Sequence, residues 1–265
     1  MELKGKVKSV IQRHENLNRR RGWDSILFVF NRQGNLVTEY QWYSTKELAM
    51  KFQYVYDKKG MVTMTGFDMY DNVQYKFVNT FDTNNYLVKS SWYGFDGKLG
   101  GWDSLRYDNN GNNIEKIEFN ADTIYSRSIF RYDKNNRKIE EWNYRPPMYK
   151  PKARYVYDAK SNLTEEYWFE ENDSLIRKLV YKYDNKGNKI QENDCYRGDS
   201  DNKTAYQYDE FNNLVQEDKY DGDGKLIGTI KYKIDLDSKK NWVRIRKFSA
   251  DGQPVSVTER VITYF

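Results

Sequence analysis

The chain has 265 residues, 38% of them hydrophobic and 17% aromatic, with a mean hydropathy of −1.00. So polar a chain cannot fill a thick aliphatic core, yet its 24 Tyr, 13 Phe and 7 Trp exclude a disordered one. Its 44 basic and 39 acidic residues leave a net charge of +5, too evenly spread for nucleic acid to be the expected partner.

The first segment, residues 1–22, carries Lys4, Lys6, Lys8, Arg13, Arg19, Arg20 and Arg21. It is expected to be an N-terminal cap whose charges discourage pairing with another sheet edge. Met1-Glu2-Leu3-Lys4-Gly5 lacks the apolar stretch of a signal peptide. No apolar run reaches the roughly 18 residues of a transmembrane helix.

Residues 23–240 are expected to be a tandem array. An aromatic followed by Asp recurs at Tyr56-Asp57, Phe81-Asp82, Tyr107-Asp108, Tyr132-Asp133, Tyr157-Asp158, Tyr183-Asp184 and Tyr208-Asp209. Weaker copies at Phe30-Asn31 and Ile234-Asp235 extend the same spacing of 25 or 26 residues. Two residues before the aromatic stands another bulky side chain: Phe28, Tyr54, Leu105, Phe130, Tyr155, Tyr181, Tyr206 or Tyr232. Aromatics at alternate positions mark a β-strand with one packed face.

After the Asp, the chain reads Gly34, Gly60, Asn85, Gly111, Asn136, Ser161, Gly187 and Asn212, nearly all residues that accept positive φ. Asp ahead of such a residue predicts a hairpin turn of the type I plus G1 bulge kind, with the carboxylate accepting backbone N–H groups. The aspartate column is therefore structural. A second strand follows, opening near Val37, Val88, Ile114, Ile139, Ile190 or Val215 and often running into Glu: Glu39, Glu141, Glu166, Glu192, Glu217. Thr45 to Phe52 is the one stretch that could pass as a short helix, and the repeat register overrides it. Residues 241–265 are expected to be a C-terminal cap hairpin.

Nine hairpins give about eighteen strands in an antiparallel meander, an all-β fold. Sheets beyond about ten strands curl, so an open barrel, arc or spiral is expected, with the tyrosines on its concave side and the Glu and Lys/Arg columns pairing across strands.

The titratable residues do not assemble a catalytic set. His14 is the sole histidine and Cys195 the sole cysteine, which leaves no internal disulfide and no His-His-carboxylate metal site and argues against Ser-His-Asp or Cys-His catalysis. His14 reads as a surface residue and Cys195 as a small hydrophobe in a strand. Glu140-Glu141 and Glu165-Glu166 recur with the repeat and point to opposite faces. A glycoside hydrolase working through two carboxylates is thus held only as an alternative. Asp221-Gly222-Asp223-Gly224 lacks the spacing of a calcium loop. No cofactor or metal is expected.

Departures from the repeat are where function is sought. Gly22-Trp23-Asp24-Ser25 and Gly101-Trp102-Asp103-Ser104 share a motif, and Arg145-Pro146-Pro147-Met148-Tyr149 inserts a stiff loop. Trp42, Tyr43, Trp92, Tyr93, Trp142, Tyr167 and Trp168 cluster at one end of the second strand. They form either a stacking platform for a glycan or extended peptide, or packing beneath the turns.

The pattern Tyr-Asp-x-x-Gly-Asn-x-Ile, clearest at Tyr183 to Ile190 and Tyr107 to Ile114, resembles the YD repeats of the RHS family from about Phe28 onward. Leu3 to Val10 and Glu259 to Tyr264 look like the ends of small bacterial cell-envelope YD-repeat proteins. That resemblance implies a secreted, periplasmic or lipid-anchored location. Large RHS proteins form a shell around a toxic cargo; no non-repeat segment here suggests cargo, so that role is not carried over. The expectation is a non-enzymatic scaffold or binding module with a carbohydrate or protein ligand. The alternative is a structural shell or self-assembly unit, with an edge-strand homodimer as one form.

Overall fold

In the computed structural model, residues 3–16, 23–43, 45, 47–145, 148–170, 172–198 and 202–265 are described. The chain is all β. Its strands are β1 (Val7–Asn16), β2 (Trp23–Phe30), β3 (Leu36–Tyr43), β4 (Leu48–Asp57), β5 (Gly60–Phe67), β6 (Val73–Phe81) and β7 (Leu87–Gly94). There follow β8 (Leu99–Tyr107), β9 (Asn113–Asn120), β10 (Thr123–Tyr132), β11 (Lys138–Arg145), β12 (Met148–Tyr157), β13 (Leu163–Phe169) and β14 (Leu175–Tyr183). The last are β15 (Lys189–Tyr196), β16 (Asn202–Tyr208), β17 (Leu214–Tyr220), β18 (Leu226–Leu236), β19 (Trp242–Ser249) and β20 (Pro254–Tyr264). All twenty lie in one sheet, so the hairpin meander read from the repeat is what the chain builds, with two strands more than its nine copies supply.

The turns explain the repeat. In the hairpin after Tyr132, the N–H of Asn136 bonds to the Asp133 carbonyl, and the N–H of Asp133 to the Arg137 carbonyl. Asn136 sits at φ 59°, which makes this a type I turn with a G1 bulge at Asn136 and Arg137. A second bulge follows in the strand, where the ladder slips by one residue between Arg131 and Tyr132. The aspartate Oδ1 accepts the N–H groups two and four residues on, as Asp158 does from Lys160 and Asn162 at 2.8 Å. Its Oδ2 takes the Asn162 side-chain amide at 2.9 Å. The same three bonds recur at Asp108, Asp184 and Asp209. Val37, Ile139 and Ile190 are the bulged residues, skipped by the ladder.

Two compact units divide the chain, residues 1–102 with 232–265, and residues 103–231. In the first, β1 pairs with β2 on one side and with β20 on the other. The two segments read as separate caps are thus neighbours in one ladder. Residues 7–16 are a full strand because Val10, fully buried, lies between Phe28 and Ile262. Neither β1 nor β20 is a free edge, so these strands offer no ladder for an edge-to-edge dimer. The Thr45–Phe52 stretch contributes to β4, in register with the repeat.

Cross-strand pairing sorts the side chains onto two faces. On one face of the first unit runs the row Phe28, Glu39, Phe52, Gly66, Tyr75, Gly94, with Tyr54, Met64, Phe77 and Trp92 beside it. In the second unit the equivalent rows are Phe130, Glu141, Ala153, Trp168, Arg177 and Tyr155, Glu166, Leu179, Asp194. This tyrosine face holds fully buried Ala153, and Leu179 and Phe52 are nearly so.

Candidate functional site

The glutamate column lies on the tyrosine face, where the sequence had paired it with Lys and Arg. Its main partners are tyrosine hydroxyls of the following hairpin. Tyr54 donates to Glu39 (3.2 Å), Tyr155 to Glu141 (3.2 Å) and Tyr181 to Glu166 (2.9 Å). Burial, and then the adjacent carboxylates, hold these three phenols protonated well above the usual tyrosine range. Three lysines do join the column, Lys219 at 3.5 Å from Glu217 being the loosest. Lys138 Nζ meets Glu141 at 2.6 Å beneath the rings of Tyr155 and Phe130; Lys189 meets Glu192 at 2.6 Å beneath Tyr206 and Tyr181. Burial alone would raise the Glu141 pKa, but Lys138, Asn143 and Tyr155 hold it below the ordinary carboxylate value.

The charge alternation anticipated from sequence occupies the opposite face of the second unit. There Arg131, Glu140, Arg154, Tyr167 and Lys178 stand in one cross-strand row. Arg131 and Arg154 both reach Glu140, at 3.3 Å. Glu140 and Glu141 therefore serve different faces, as strand alternation requires, and neither is one of a facing catalytic pair.

The seven aromatic candidates do share one strand end, but they divide between the faces. Trp92 and Trp168 lie on the tyrosine face; Trp42, Tyr93, Trp142 and Tyr167 lie on the other, and Tyr43, past the register shift at the end of β3, lines a cavity with Trp42. No single platform contains them. Trp142 is covered by cations, with Arg131 4.6 Å and Lys152 5.7 Å from its ring centre. Tyr167 is stacked on Phe169 and flanked by Lys178, and Tyr93 faces Lys76. Trp168 is wedged between Ala153 and Arg177, its indole Nε1 buried.

Two candidates, both in the first unit, present usable rings. Trp42, stacked on Tyr40 at 5.8 Å, borders a cavity of about 820 Å³ with Tyr43, over a floor of Ile11, Leu27 and Val257 edged by Arg13 and Glu259. Trp92 remains 42% exposed and lies flat over Gly100, where a Cβ would collide with its six-membered ring. Tyr75 covers Gly66 in the same manner, with 2.8 Å from ring to virtual Cβ. Sequence reasoning passed over both glycines, although Gly66 stands where neighbouring hairpins carry Gln41, Trp92 and Trp168.

Of the other departures, the second Gly-Trp-Asp-Ser motif is tied to its neighbouring strands. Lys89 sits 4.5 Å over Trp102, and Asp103 pairs with Lys116 at 3.0 Å. The exposed His14 bonds Thr258 through Nδ1 at 2.8 Å, and Cys195 is half-exposed in β15, opposite Lys178. The tips of the Arg145-Pro146-Pro147 loop and of the first Gly-Trp-Asp-Ser motif, with Arg19, Arg20 and Arg21, lie outside the described residues. Among the described residues no three His, Cys, Asp or Glu side chains converge as metal ligands would, and no helix is long and apolar enough to cross a membrane.

No family model matches the chain, and no curated protein does either. Among solved structures, it is similar to the Tc holotoxin pore of Photorhabdus luminescens, at 13% identity and a TM-score of 0.46 over 93% of this chain. The chain spans only 14% of that toxin chain. It is also similar to porin-like proteins from Bacteroides uniformis (6% identity, TM-score 0.42) and Bacteroides vulgatus (12%, 0.32), covering 98% of this chain and 99% and 98% of theirs. At these scores the likeness assigns nothing about function.

Proposed function

We propose that the protein is a non-enzymatic scaffold of YD-repeat type at a bacterial cell envelope, binding a glycan or an extended protein segment on the tyrosine face of its first unit. The observation that carries this reading is the ring geometry there. Tyr54 is anchored by its hydroxyl to Glu39, which Gln41 also reaches, and Trp92 and Tyr75 are seated on glycines, so flat apolar faces are held in place. Pre-set rings with polar groups at their edges recognise sugars and peptide backbones at small entropic cost.

A glycan array and a panel of extended peptides test it. Saturable binding that weakens on Phe77→Ala and ignores Trp142→Ala, whose ring lies on the other face under Arg131, is the expected result. Binding to neither panel, or equal sensitivity to both substitutions, overturns it.

A purely structural shell unit is the second reading. The direct pairing of β1 with β20 favours it, since a chain stapled end to end is suited to bearing load. A 7–16 deletion that unfolds the protein, with no ligand found on either panel, would favour this reading.

A further inference from the structure

Resting on the tyrosine-face reading, we propose that the Trp92 ring is a stacking subsite for one neutral pyranose residue, with Ser90 and Asp96 as its hydroxyl-binding edges.

Three observations converge on Trp92. Its indole is laid flat by the missing side chain at Gly100, so one ring face is backed by main chain while the residue stays 42% exposed. A tryptophan used only for packing hides both ring faces; this one shows a side to solvent although it stands opposite Phe77 in the ladder. The CH-rich face of a pyranose is the natural complement of such a surface, being flat, weakly positive at its C–H bonds and of similar size.

Both flanks on β7 are polar or vacant. Ser90 and Gly94 lie two residues to either side of Trp92 on the same face, each about 7 Å along the strand. The Ser90 hydroxyl makes no hydrogen bond among the described residues. At Gly94 a side chain is absent, and the Asp96 carboxylate stands there, its Oδ1 3.4 Å from where a Cβ would be. A sugar ring centred on the indole thus has a hydroxyl group at one end and a carboxylate at the other. Carboxylates accept from vicinal hydroxyl pairs, which an apolar peptide side chain does not offer.

Charge selects the sugar class. Asp96 is held ionised by the Lys98 backbone N–H and by the Lys98 ammonium at 3.2 Å. An ionised carboxylate only accepts, so it takes the hydroxyls of a neutral hexose and offers no donor to the carboxylate of a uronic or sialic acid.

The test uses the full chain with cellobiose, lactose, maltose and chitobiose as neutral probes and an alginate disaccharide as the acidic one. Binding is followed by saturation-transfer NMR and by shifts of the indole N–H resonances. Wild type is expected to bind at least one neutral disaccharide at millimolar strength with a single indole resonance moving, and not to bind the acidic probe. Trp92→Ala should weaken binding about tenfold or more, Trp92→Phe and Asp96→Asn by about threefold, and Trp142→Ala not at all. The Phe and Asn variants keep the test open if Trp92→Ala does not fold.

Saccharide binding that survives Trp92→Ala but falls with Phe77→Ala overturns the subsite and leaves the tyrosine-face reading standing. Binding lost only in Trp42→Ala moves the ligand to the opposite face and overturns both. No saccharide binding to wild type overturns the subsite alone, since peptides test the face independently. Preference for the acidic probe overturns the assignment to neutral sugars.

Discussion

The Tyr157 hydroxyl donates to the main-chain carbonyl of Lys138, 2.8 Å away in the preceding hairpin. Lys138 is the residue just before the bulged Ile139, where the ladder skips a position and a carbonyl would otherwise lack a partner. Tyr132 does the same for Asn113, Tyr183 for Leu163 and Tyr208 for Lys189. The bulge that follows each turn thus leaves the acceptor that the next repeat's tyrosine fills, which is why the second aromatic in this unit is Tyr and not Phe.

Tyr157→Phe keeps the ring and removes only that bond. The expected loss is about 0.5–1.5 kcal/mol, the ordinary net value of a half-buried hydrogen bond. Tyr157→Phe with Tyr183→Phe should lose nearly the sum, because their acceptors are separate. Urea denaturation of the three variants measures it. No change in midpoint would show that water satisfies the carbonyl equally well.

Asn241 joins the ends of the first unit. It is 4% exposed, accepts from the Lys4 N–H at 2.7 Å, and returns its Nδ2 to the Lys4 carbonyl at 2.9 Å. Its amide thereby imitates a strand partner for the N-terminal segment, while Phe265 N–H bonds the Lys6 carbonyl nearby. Asn241→Ala leaves two main-chain groups unpaired and should cost about 1–3 kcal/mol. Hydrogen exchange should show the loss concentrated in residues 3–7. Exchange rising evenly through the sheet instead would show that Asn241 supports the turn at Asp237, and not the terminus.

How much of this was legible beforehand depended on period. Anything that recurs every 25 or 26 residues could be read from one sequence: the hairpin turn, the positive-φ position confirmed at Asn85, Asn136 and Asn212, and the strand alternation. What a single copy decides could not. The pairing of β1 with β20 joins residues some 250 positions apart, and no local pattern encodes it. Face assignment failed for a different reason. Trp142 stands nine residues after Asp133 and Trp168 ten after Asp158, so strand alternation alone sends them to opposite sides, and a one-residue difference in copy length is easily missed. The glycines under Tyr75 and Trp92 were invisible because a glycine in a strand reads as a weakness until the ring above it is seen.

Gly66→Ala tests that last point. Its Cβ would meet the Tyr75 ring at 2.8 Å, so the ring must lift away from Gly66 toward Phe77, now edge-on at 6.0 Å. Overpacking of this kind costs about 1–3 kcal/mol. Near-ultraviolet circular dichroism should change with little change in the far-ultraviolet spectrum. If both spectra and the denaturation midpoint stay as in wild type, the ring is not seated on the glycine.

The pH profile of stability follows from two columns with opposite signs. Asp108, Asp158, Asp184 and Asp209 are held below the ordinary carboxylate value, first by the Asn side-chain amide of their own turns (Asn112, Asn162, Asn188, Asn213) and then by backbone N–H groups. A depressed carboxylate stabilises the fold above its unfolded pKa of about 3.9 and loses that contribution as pH falls through the folded value. Tyr54, Tyr155 and Tyr181 are raised, chiefly by burial and then by Glu39, Glu141 and Glu166. A raised phenol is fully stabilising below the unfolded pKa of about 10 and loses this as pH climbs toward the folded value. Urea midpoints should therefore be flat from about pH 5 to 9 and fall on both sides. Asp158→Asn should shallow the acid limb only, and Tyr155→Phe the alkaline limb only. An alkaline limb that Tyr155→Phe leaves as steep as before would show that the buried Tyr155 phenol does not carry that loss.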